Sequence, residues 1–250
     1  MKLFIIIDET SFYHPKFLER FISETNDDVV GIGIVKKIPK KHSLSIYLRN
    51  HFYYLKPNEI LKLIFHKIII NKGNVFSSVK KVCEYYNINY FNINHTLNKD
   101  KYIKCIELTK PDIIISSNSL YFDKIILDIP KICCINRHSS LLPSYKGLWP
   151  VFYAFLNGEK EVGVTIHIMG TKYDEGKILS QKVIKIKNGD TIADLYEKCF
   201  DESVECLLNA IRVIKNSSIG NSINKYLDSY YSFPKKKHWN EFRKRGGVFI

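Results

Sequence analysis

Residues 134–147 read CINRHSSLLPSYKG, and this stretch joins an apolar strand to a run of polar residues. The predicted strand, Ile132–Ile135, is followed at once by Asn136 and His138. Alternate side chains of an extended chain share a face, so the carboxamide and the imidazole are expected to point together beyond the strand. The first can donate to a developing oxyanion and the second can transfer a proton, which makes a candidate acyl-transfer pair. A capped strand end with a backbone-bonded histidine fits the same spacing.

Toward the amino terminus, apolar runs alternate with helical segments. Leu3–Ile7, Val29–Val35 and Asp112–Ser116 are predicted buried strands. This alternation predicts an α/β fold with a mostly parallel sheet and flanking helices. Ligands of such sheets bind beyond the carboxyl ends of the strands, where the polar part of 134–147 lies. Segment 36–72, rich in lysine and aromatic residues, shows no clean period and is interpreted as helix and loop.

Toward the carboxyl terminus, the polar cluster MGTKYDEG connects two further predicted strands, Val162–Met169 and Ile178–Ile186. If the first of these pairs beside the quoted strand, Asp174 can face His138 and fix its tautomer. A simple Lys-x-Asp-x-Gly turn is the alternative. Thr191 is predicted to cap the longest helix of the chain.

The composition favours a folded intracellular protein. The 250 residues are 45% hydrophobic and 13% aromatic, enough to build a sizeable core. Six cysteines are too few for a disulfide scaffold, and the apolar run before Asp8 is too short for a signal peptide, so a cytoplasmic location is expected. No segment approaches the roughly 18 uninterrupted apolar residues that a membrane span needs.

The net charge of +13 suggests either an anionic partner or a compositional bias. Six of the 38 basic residues are arginine, whereas proteins that read phosphates and bases favour the arginine fork. We therefore favour the bias and expect no nucleic-acid partner.

Several common sites are absent from the sequence. It contains neither a dinucleotide-binding glycine motif after the first strand nor a P-loop. The pairs Cys133/Cys134 and Cys199/Cys206 lack zinc spacing. All six cysteines are interpreted as core thiols, and no metal is expected.

The quoted stretch belongs to a longer series of spaced residues, namely Asn136-x-His138-x-Ser140-Leu141-Leu142-Pro143, Tyr145-Lys146-Gly147, Pro150, Gly158, Gly163-Val164-Thr165-x-His167 and Asp174-x-Gly176-x-Ile178-Leu179-x-Gln181. This series resembles the formyltransferase family that uses 10-formyltetrahydrofolate. The resemblance is strong over residues 111–186 and looser over 1–110.

The resemblance implies a Rossmann-like formyltransferase fold, with a catalytic domain over 1–215 and a linker and short aromatic and basic extension over 216–250. It places the catalytic asparagine, histidine and aspartate on Asn136, His138 and Asp174. The folate pocket, made largely by backbone groups, falls on Leu120, Tyr121, Phe122, Gly170, Thr171, Lys172 and Tyr173. In the implied reaction Asn136 and a protonated His138 stabilise the oxyanion, while Asp174 holds the imidazole and assists proton removal from the amine.

Family members formylate glycinamide ribonucleotide, initiator methionyl-tRNA or a nucleotide-linked amino sugar, and some hydrolyse the formyl folate. The first acceptor is disfavoured because 8–11 reads Asp-Glu-Thr-Ser, whose carboxylates repel a phosphate. About thirty residues follow Gly220, too few for the barrel domain of the tRNA enzymes. The hydrolases usually carry an extra amino-terminal domain. A nucleotide-linked sugar such as a dTDP-amino-dideoxyhexose, used for cell-surface polysaccharide, is the favoured acceptor, with the tRNA enzyme and the hydrolase as alternatives.

The tail supports this choice through a looser resemblance. Tyr230–Pro234 and the basic stretch that follows are similar to the short ending of sugar N-formyltransferases. We predict that Lys146, Trp149, Tyr230 and Tyr231 border a nucleotide-diphosphate site, although the tail could instead only pack on the core. The expected partners are folate and the nucleotide sugar, with no membrane, and a homodimer is compatible with the aromatic surplus over 45–91.

Overall fold

A computed structural model describes residues 1–9, 12–36, 55–73, 76–216 and 226–250, with the backbone alone over 66–73. The strands are β1 Lys2–Asp8, β2 Asp28–Lys36, β3 Tyr90–Asn94, β4 Ile113–Ser117, β5 Cys133–His138, β6 Lys146–Gly147, β7 Glu161–Ile168, β8 Ile178–Lys185 and β9 Tyr230–Tyr231. The helices are α1 His14–Glu24, α2 Pro57–Gly73, α3 Val79–Tyr85, α4 Asp100–Thr109, α5 Lys124–Leu127, α6 Pro150–Leu156, α7 Ile192–Lys215 and α8 Lys236–Lys244.

A seven-stranded sheet organises the chain in the order β3-β2-β1-β4-β5-β7-β8. The strands from β3 to β5 run parallel, and β7 and β8 complete the sheet antiparallel. β1 lies inside the sheet, between β2 and β4, with both faces covered, which explains its continuous apolar sequence. The predicted fold class, a mostly parallel Rossmann-like sheet with flanking helices, is confirmed.

Successive residues of β1 pack on opposite faces of this sheet. Leu3, Ile5 and Ile7 share a core with α1, α3 and α7, whereas Phe4 and Ile6 share one with α4 and α5. All five side chains are almost completely buried, and each such burial contributes about 1.5–3 kcal/mol. With both faces covered, the carboxyl edge of the sheet is left for a site.

The helix α7 begins at the predicted cap. The Thr191 hydroxyl accepts a hydrogen bond from Asp194 N at 3.1 Å, and the Asp194 carboxylate accepts one from Thr191 N at 2.9 Å. The carbonyls of Val248 and Phe249 accept from the amides of the first two helical residues at 3.1 and 2.9 Å. These contacts satisfy amides that the start of a helix leaves without partners.

The described part of the extension packs against the preceding residues. β9 pairs in parallel with β6. Trp239 and Phe242 of α8 are buried against Phe152 of α6. Arg243 pairs with the buried carboxylate of Glu59 at the start of α2. Residues 217–225 of the predicted linker lie outside the described residues, and the domain boundary at 215 stays a prediction.

Two further predictions from the sequence concern the cysteines and segment 36–72. The interpretation of every cysteine as a core thiol is wrong for Cys105, which is exposed because α4 turns the face that carries Tyr102 and Ile106 toward the core and leaves Cys105 beside it. Segment 36–72 contains α2, while 37–54 lies outside the described residues. Within the described ranges, no helix is long and apolar enough to cross a membrane, and no cluster of histidine, cysteine or carboxylate side chains is arranged to hold a metal ion.

Candidate active site

Asn136 and His138 lie at the carboxyl end of β5 and contribute to the wall of one pocket, as their spacing predicts. Asp174, from the loop between β7 and β8, meets both of them. Its Oδ1 is 3.4 Å from Asn136 Nδ2 and 3.7 Å from His138 Nδ1. The structure therefore brings the three predicted catalytic residues together.

The backbone holds Asp174 in an unusual conformation. Its φ of +52° lies in the left-handed region, which costs a non-glycine residue about 1–3 kcal/mol. Gly147 N donates to Asp174 Oδ2 at 2.8 Å. Two residues later the loop passes so close to β7 that a Cβ on Gly176 would overlap the carbonyl of Ile168. The loop is thus shaped to present this carboxylate to the end of β5.

The surroundings set the charge of the two ionisable groups. Burial alone would raise the pKa of Asp174, but in the acid range the protonated His138, a hydrogen bond from His167 and the Gly147 amide together hold that pKa well below its ordinary value. Burial lowers the pKa of His138, despite the opposing influence of Asp174 and of the Tyr145 carbonyl. At neutral pH the carboxylate is charged and the imidazole is neutral.

A backbone carbonyl fixes the tautomer of that neutral imidazole. His138 Nε2 lies 2.9 Å from Tyr145 O, and because a carbonyl only accepts, Nε2 carries the hydrogen. The lone pair is then on Nδ1, the ring nitrogen nearer Asp174. This differs from the protonated His138 that the family resemblance implies: the ring is poised to take a proton, and Asp174 stabilises the imidazolium that results.

A second imidazole, to which the sequence assigned no role, completes the cluster. His167 Nε2 lies 3.5 Å from Asp174 Oδ1 and 3.3 Å from Asn136 Nδ2. Its Nδ1 donates to Ile168 O at 2.9 Å. His167 is directly opposite Asn136 in the antiparallel β5–β7 pair. That register was the missing signal, because spacing alone does not show which strand lies beside β5.

The cluster forms part of the lining of a pocket of about 300 Å³ at the edge of the sheet. Of the predicted folate-binding residues, six line this pocket: Leu120, Tyr121, Phe122, Gly170, Lys172 and Tyr173. Thr171 does not line it. The rings of Tyr121 and Tyr173 lie 5.5 Å apart and are half-exposed. The Asn136 Oδ1 atom is buried and has no hydrogen-bond partner among the described residues.

A comparison with known protein families identifies the family of this chain. A sequence profile described as formyl transferase matches residues 68–211, more than half of the chain. This chain belongs to the formyl transferase family. The match includes Asn136, His138 and Asp174.

Two curated relatives of this chain carry different names. The chain is 39% identical over 177 residues to the bifunctional polymyxin resistance protein ArnA of Wigglesworthia glossinidia brevipalpis, and 35% identical over 174 residues to the methionyl-tRNA formyltransferase of the same organism. Each alignment covers 66% of this chain, but 26% and 54% of the respective relative. The chain thus spans between a quarter and about half of these relatives.

Solved structures share the fold of this chain. Glycinamide ribonucleotide transformylase 1 of Symbiobacterium toebii superposes with a TM-score of 0.61 at 14% identity, covering 87% of this chain and 88% of that one. An N-formyltransferase of Helicobacter canadensis, solved with folinic acid and dTDP-3-aminofucose, gives a TM-score of 0.54 at 19% identity and covers 93% of this chain and 71% of that one. At these identities the likeness concerns the fold alone.

The residues predicted to border a nucleotide have different surroundings in the structure. Tyr230 lines the pocket and is 61% exposed. Lys146 does not line it, because its side chain is buried and its ammonium lies 2.8 Å from Asp228 and 3.3 Å from Glu175. Because those carboxylates neutralise the charge of the ammonium, the attraction of Lys146 for a diphosphate is weak.

The two other predicted nucleotide contacts, Trp149 and Tyr231, are also outside the pocket lining. Trp149 sits in an aromatic cluster with Trp239 and other rings. Tyr231 stacks on Tyr153 with ring centroids 4.3 Å apart. Both side chains join the extension to the core, as the packing alternative for the tail expects.

The structure contains a buried cation, Arg137, that sequence reasoning missed. Arg137 lies between Asn136 and His138, and its guanidinium stacks 3.8 Å from the ring of Phe200. It donates to the hydroxyls of three serines from separate elements, Ser117, Ser139 and Ser203. Burial lowers its pKa to about 10, so the group stays charged at neutral pH. Arg137 thus ties β4 and α7 to the catalytic strand.

Proposed function

We propose that this chain transfers a formyl group from 10-formyltetrahydrofolate to the amine of a nucleotide-linked amino sugar. The observation that carries the proposal is the meeting of Asn136, His138 and Asp174 at one pocket, with separations of 3.4 and 3.7 Å. Formylation of an amine needs a proton acceptor and a donor to the charge that develops on the formyl oxygen. These side chains offer both.

Each group has a distinct role in this reaction. His138 accepts at Nδ1 the proton that leaves the attacking amine, and Asp174 stabilises the imidazolium formed. Asn136 Nδ2 donates to the formyl oxygen while that oxygen carries negative charge. His138 then gives its proton to the departing nitrogen, so one proton passes from acceptor to leaving group. When bound, 10-formyltetrahydrofolate supplies the formyl group.

The pocket is chemically suited to a flat heteroaromatic ring next to a reacting amine. Leu120, Phe122 and the exposed pair Tyr121 and Tyr173 supply apolar and aromatic surface. Toward the catalytic cluster, the buried Asn136 Oδ1 is an acceptor without a protein donor. An amine N–H can fill that position, since buried acceptors are rarely left unpaired.

Two observations support a sugar acceptor over a phosphorylated ribose. Glu9, directly after β1, places its carboxylate 3.1 Å from Val79 N at the start of α3, so an acidic group lies at the edge where a phosphate would need donors. Tyr230 contributes an exposed ring to the pocket beside Gly147, and aromatic faces suit sugars and bases.

Initiator methionyl-tRNA is the second candidate acceptor. It is favoured by the 35% identity to a methionyl-tRNA formyltransferase and by the net charge of +13. A charge-driven RNA substrate predicts that turnover falls steeply with rising salt, because binding releases counterions. A nucleotide sugar predicts a much weaker salt dependence.

The decisive experiment measures tetrahydrofolate release from 10-formyltetrahydrofolate by absorbance, against amino sugars linked to TDP, UDP or GDP and against charged initiator tRNA. We expect release that requires a nucleotide sugar and is lost in His138→Ala. Formylation of the tRNA alone, or release without any acceptor, would replace the proposed acceptor with the second candidate or with hydrolysis.

For the cellular setting, we propose the cytosol and a role in supplying sugars for cell-surface polysaccharide. The six cysteines are unpaired, which agrees with a reducing compartment. A homodimer stays a prediction, and light scattering of the purified protein would test it.

A further inference from the structure

The segment that leads into β9 contacts the loop next to the catalytic cluster. Ser229 makes three hydrogen bonds to this loop: Oγ accepts from Tyr145 N at 2.8 Å, the carbonyl accepts from Lys146 N at 2.8 Å, and the amide donates to Pro143 O at 3.2 Å. The β6–β9 pairing begins at the next residue. A single residue of the extension thus supplies hydrogen-bond partners for three backbone groups of residues 143–146.

The same loop holds both ionisable catalytic groups through its backbone. Tyr145 O accepts from His138 Nε2 at 2.9 Å, and Gly147 N donates to Asp174 Oδ2 at 2.8 Å. Because backbone atoms make these contacts, their geometry depends on the conformation of the loop and not on its side chains.

That conformation is unfavourable without outside support. Tyr145 has a φ of +60°, in the left-handed region that non-glycine residues rarely adopt. Such a residue persists only where its surroundings determine it. The contact that fixes its amide comes from Ser229, 84 residues further along the chain.

We propose that Ser229 is a positioning residue for His138 and Asp174, acting through the backbone of Tyr145 and Gly147. The inference rests on the proposed function, since it takes these two groups to perform the chemistry. The Ser229 hydroxyl holds the Tyr145 amide in place, and the Tyr145 carbonyl in turn fixes the His138 tautomer. Without the Ser229 hydroxyl, the turn at Tyr145 can change its conformation. The Tyr145 carbonyl, which accepts from His138 Nε2–H, then moves with the turn.

The test compares three variants of the full chain. Ser229→Ala removes the acceptor, Ser229→Thr keeps a hydroxyl, and Ser232→Ala alters an exposed serine of the same tail. We expect Ser229→Ala to lower kcat about tenfold to a hundredfold, as loss of alignment does, with the KM for 10-formyltetrahydrofolate within about twofold. Ser229→Thr should recover most of the rate, and Ser232→Ala should match the parent chain.

A second readout does not need turnover. Nitrogen-15 shifts of the His138 ring, assigned with His138→Gln, report which ring nitrogen carries the hydrogen. We expect the Nε2–H form in the parent chain and a mixture of both tautomers in Ser229→Ala.

The outcomes separate the two proposals. Unchanged kcat with an unchanged tautomer in Ser229→Ala overturns the positioning role, and so does a rate loss that Ser229→Thr fails to recover. A changed tautomer in a protein whose parent form formylates no acceptor supports the contact and rejects the proposed function. Circular dichroism and the thermal midpoint confirm that each variant is folded when measured.

Discussion

The two ends of the pocket are built in different ways. The end assigned to folate comes from residues 118–122 and 169–174, which directly follow strands of the main sheet. The other end comes from Gly147, Leu148 and Tyr230, which meet through the small β6–β9 pair. The first end is held by the buried strands of the main sheet. The second end depends on β9, which is distant in the chain, pairing with β6. We therefore expect changes at the first end to affect folate binding or the chemistry. Changes at the second end should affect the acceptor and, through the backbone of Tyr145 and Gly147, the alignment of His138 and Asp174.

The largest effect is expected where the two ends meet. Asp174→Asn keeps the shape of the side chain but cannot stabilise the His138 imidazolium, so kcat/KM should fall about 10²–10⁴-fold. The control is Glu175→Gln, which neutralises the adjacent, half-exposed carboxylate. Activity of Asp174→Asn within tenfold of the parent chain would remove Asp174 from the chemistry.

Gly147→Ala should disrupt the β6–β9 pairing that forms the acceptor end of the pocket. A Cβ there would overlap the carbonyl of Tyr231, and the φ of +90° is unsuited to alanine. We expect kcat/KM to fall on the order of a hundredfold, with a raised KM for the acceptor. Gly246→Ala is a matched control, because Gly246 has a φ of +77° with open space around its Cβ position. If both variants lose equal activity, backbone strain and not the β6–β9 contact is responsible.

The pH profile should report the state of His138. The reaction needs the neutral ring, and burial lowers the pKa of His138, so kcat/KM should fall on the acid side with a midpoint below the ordinary value of about 6.5. The loss should approach tenfold per pH unit below that midpoint. An acid limb centred well above 6.5 would mean that the ring acts as the imidazolium.

Paired substitution of Tyr121 and Tyr173 by alanine should affect the folate end alone. Loss of two half-exposed rings should raise the KM for 10-formyltetrahydrofolate about five- to tenfold, the size of an aromatic contact of about 1–1.5 kcal/mol. The KM for the acceptor should stay constant. The corresponding pair of phenylalanine substitutions keeps both rings and should stay close to the parent chain. A rise confined to the acceptor KM would reverse the assignment of the two ends.

The smallest effect is expected from Lys146→Met. The ammonium pairs with Asp228 and Glu175, whose carboxylates are partly exposed, and such pairs contribute about 0–1 kcal/mol. The KM for the nucleotide sugar should change less than about threefold. A rise of tenfold or more would restore Lys146 to the nucleotide site predicted from the sequence.

The sequence predicts the placement of Asn136 and His138 better than it predicts contacts between distant elements, for a physical reason. Alternation along an extended strand is local, so Asn136 and His138 could be placed on one face from spacing alone. The role of His167 depends on an antiparallel register that no local pattern shows. Arg137 was missed because two of the serines that accept its hydrogen bonds, Ser117 and Ser203, come from distant elements.

The surroundings of the residues predicted to border a nucleotide also depend on contacts between distant segments. Trp149 and Lys146 have residue types suited to a nucleotide, yet contacts with α8 and with Asp228 place them elsewhere. Tyr230 is in the pocket because Lys146 pairs with it across the β6–β9 contact.

The β6–β9 pair also orders events during synthesis. Ser229 leaves the ribosome 84 residues after Tyr145, and the strands of the main sheet precede it in the chain. A nascent chain can thus form its sheet while the loop that fixes the His138 tautomer still lacks its partner. If Ser229 positions the loop as proposed, the His138 tautomer is fixed only late in translation, after the pocket walls that follow the main strands have formed.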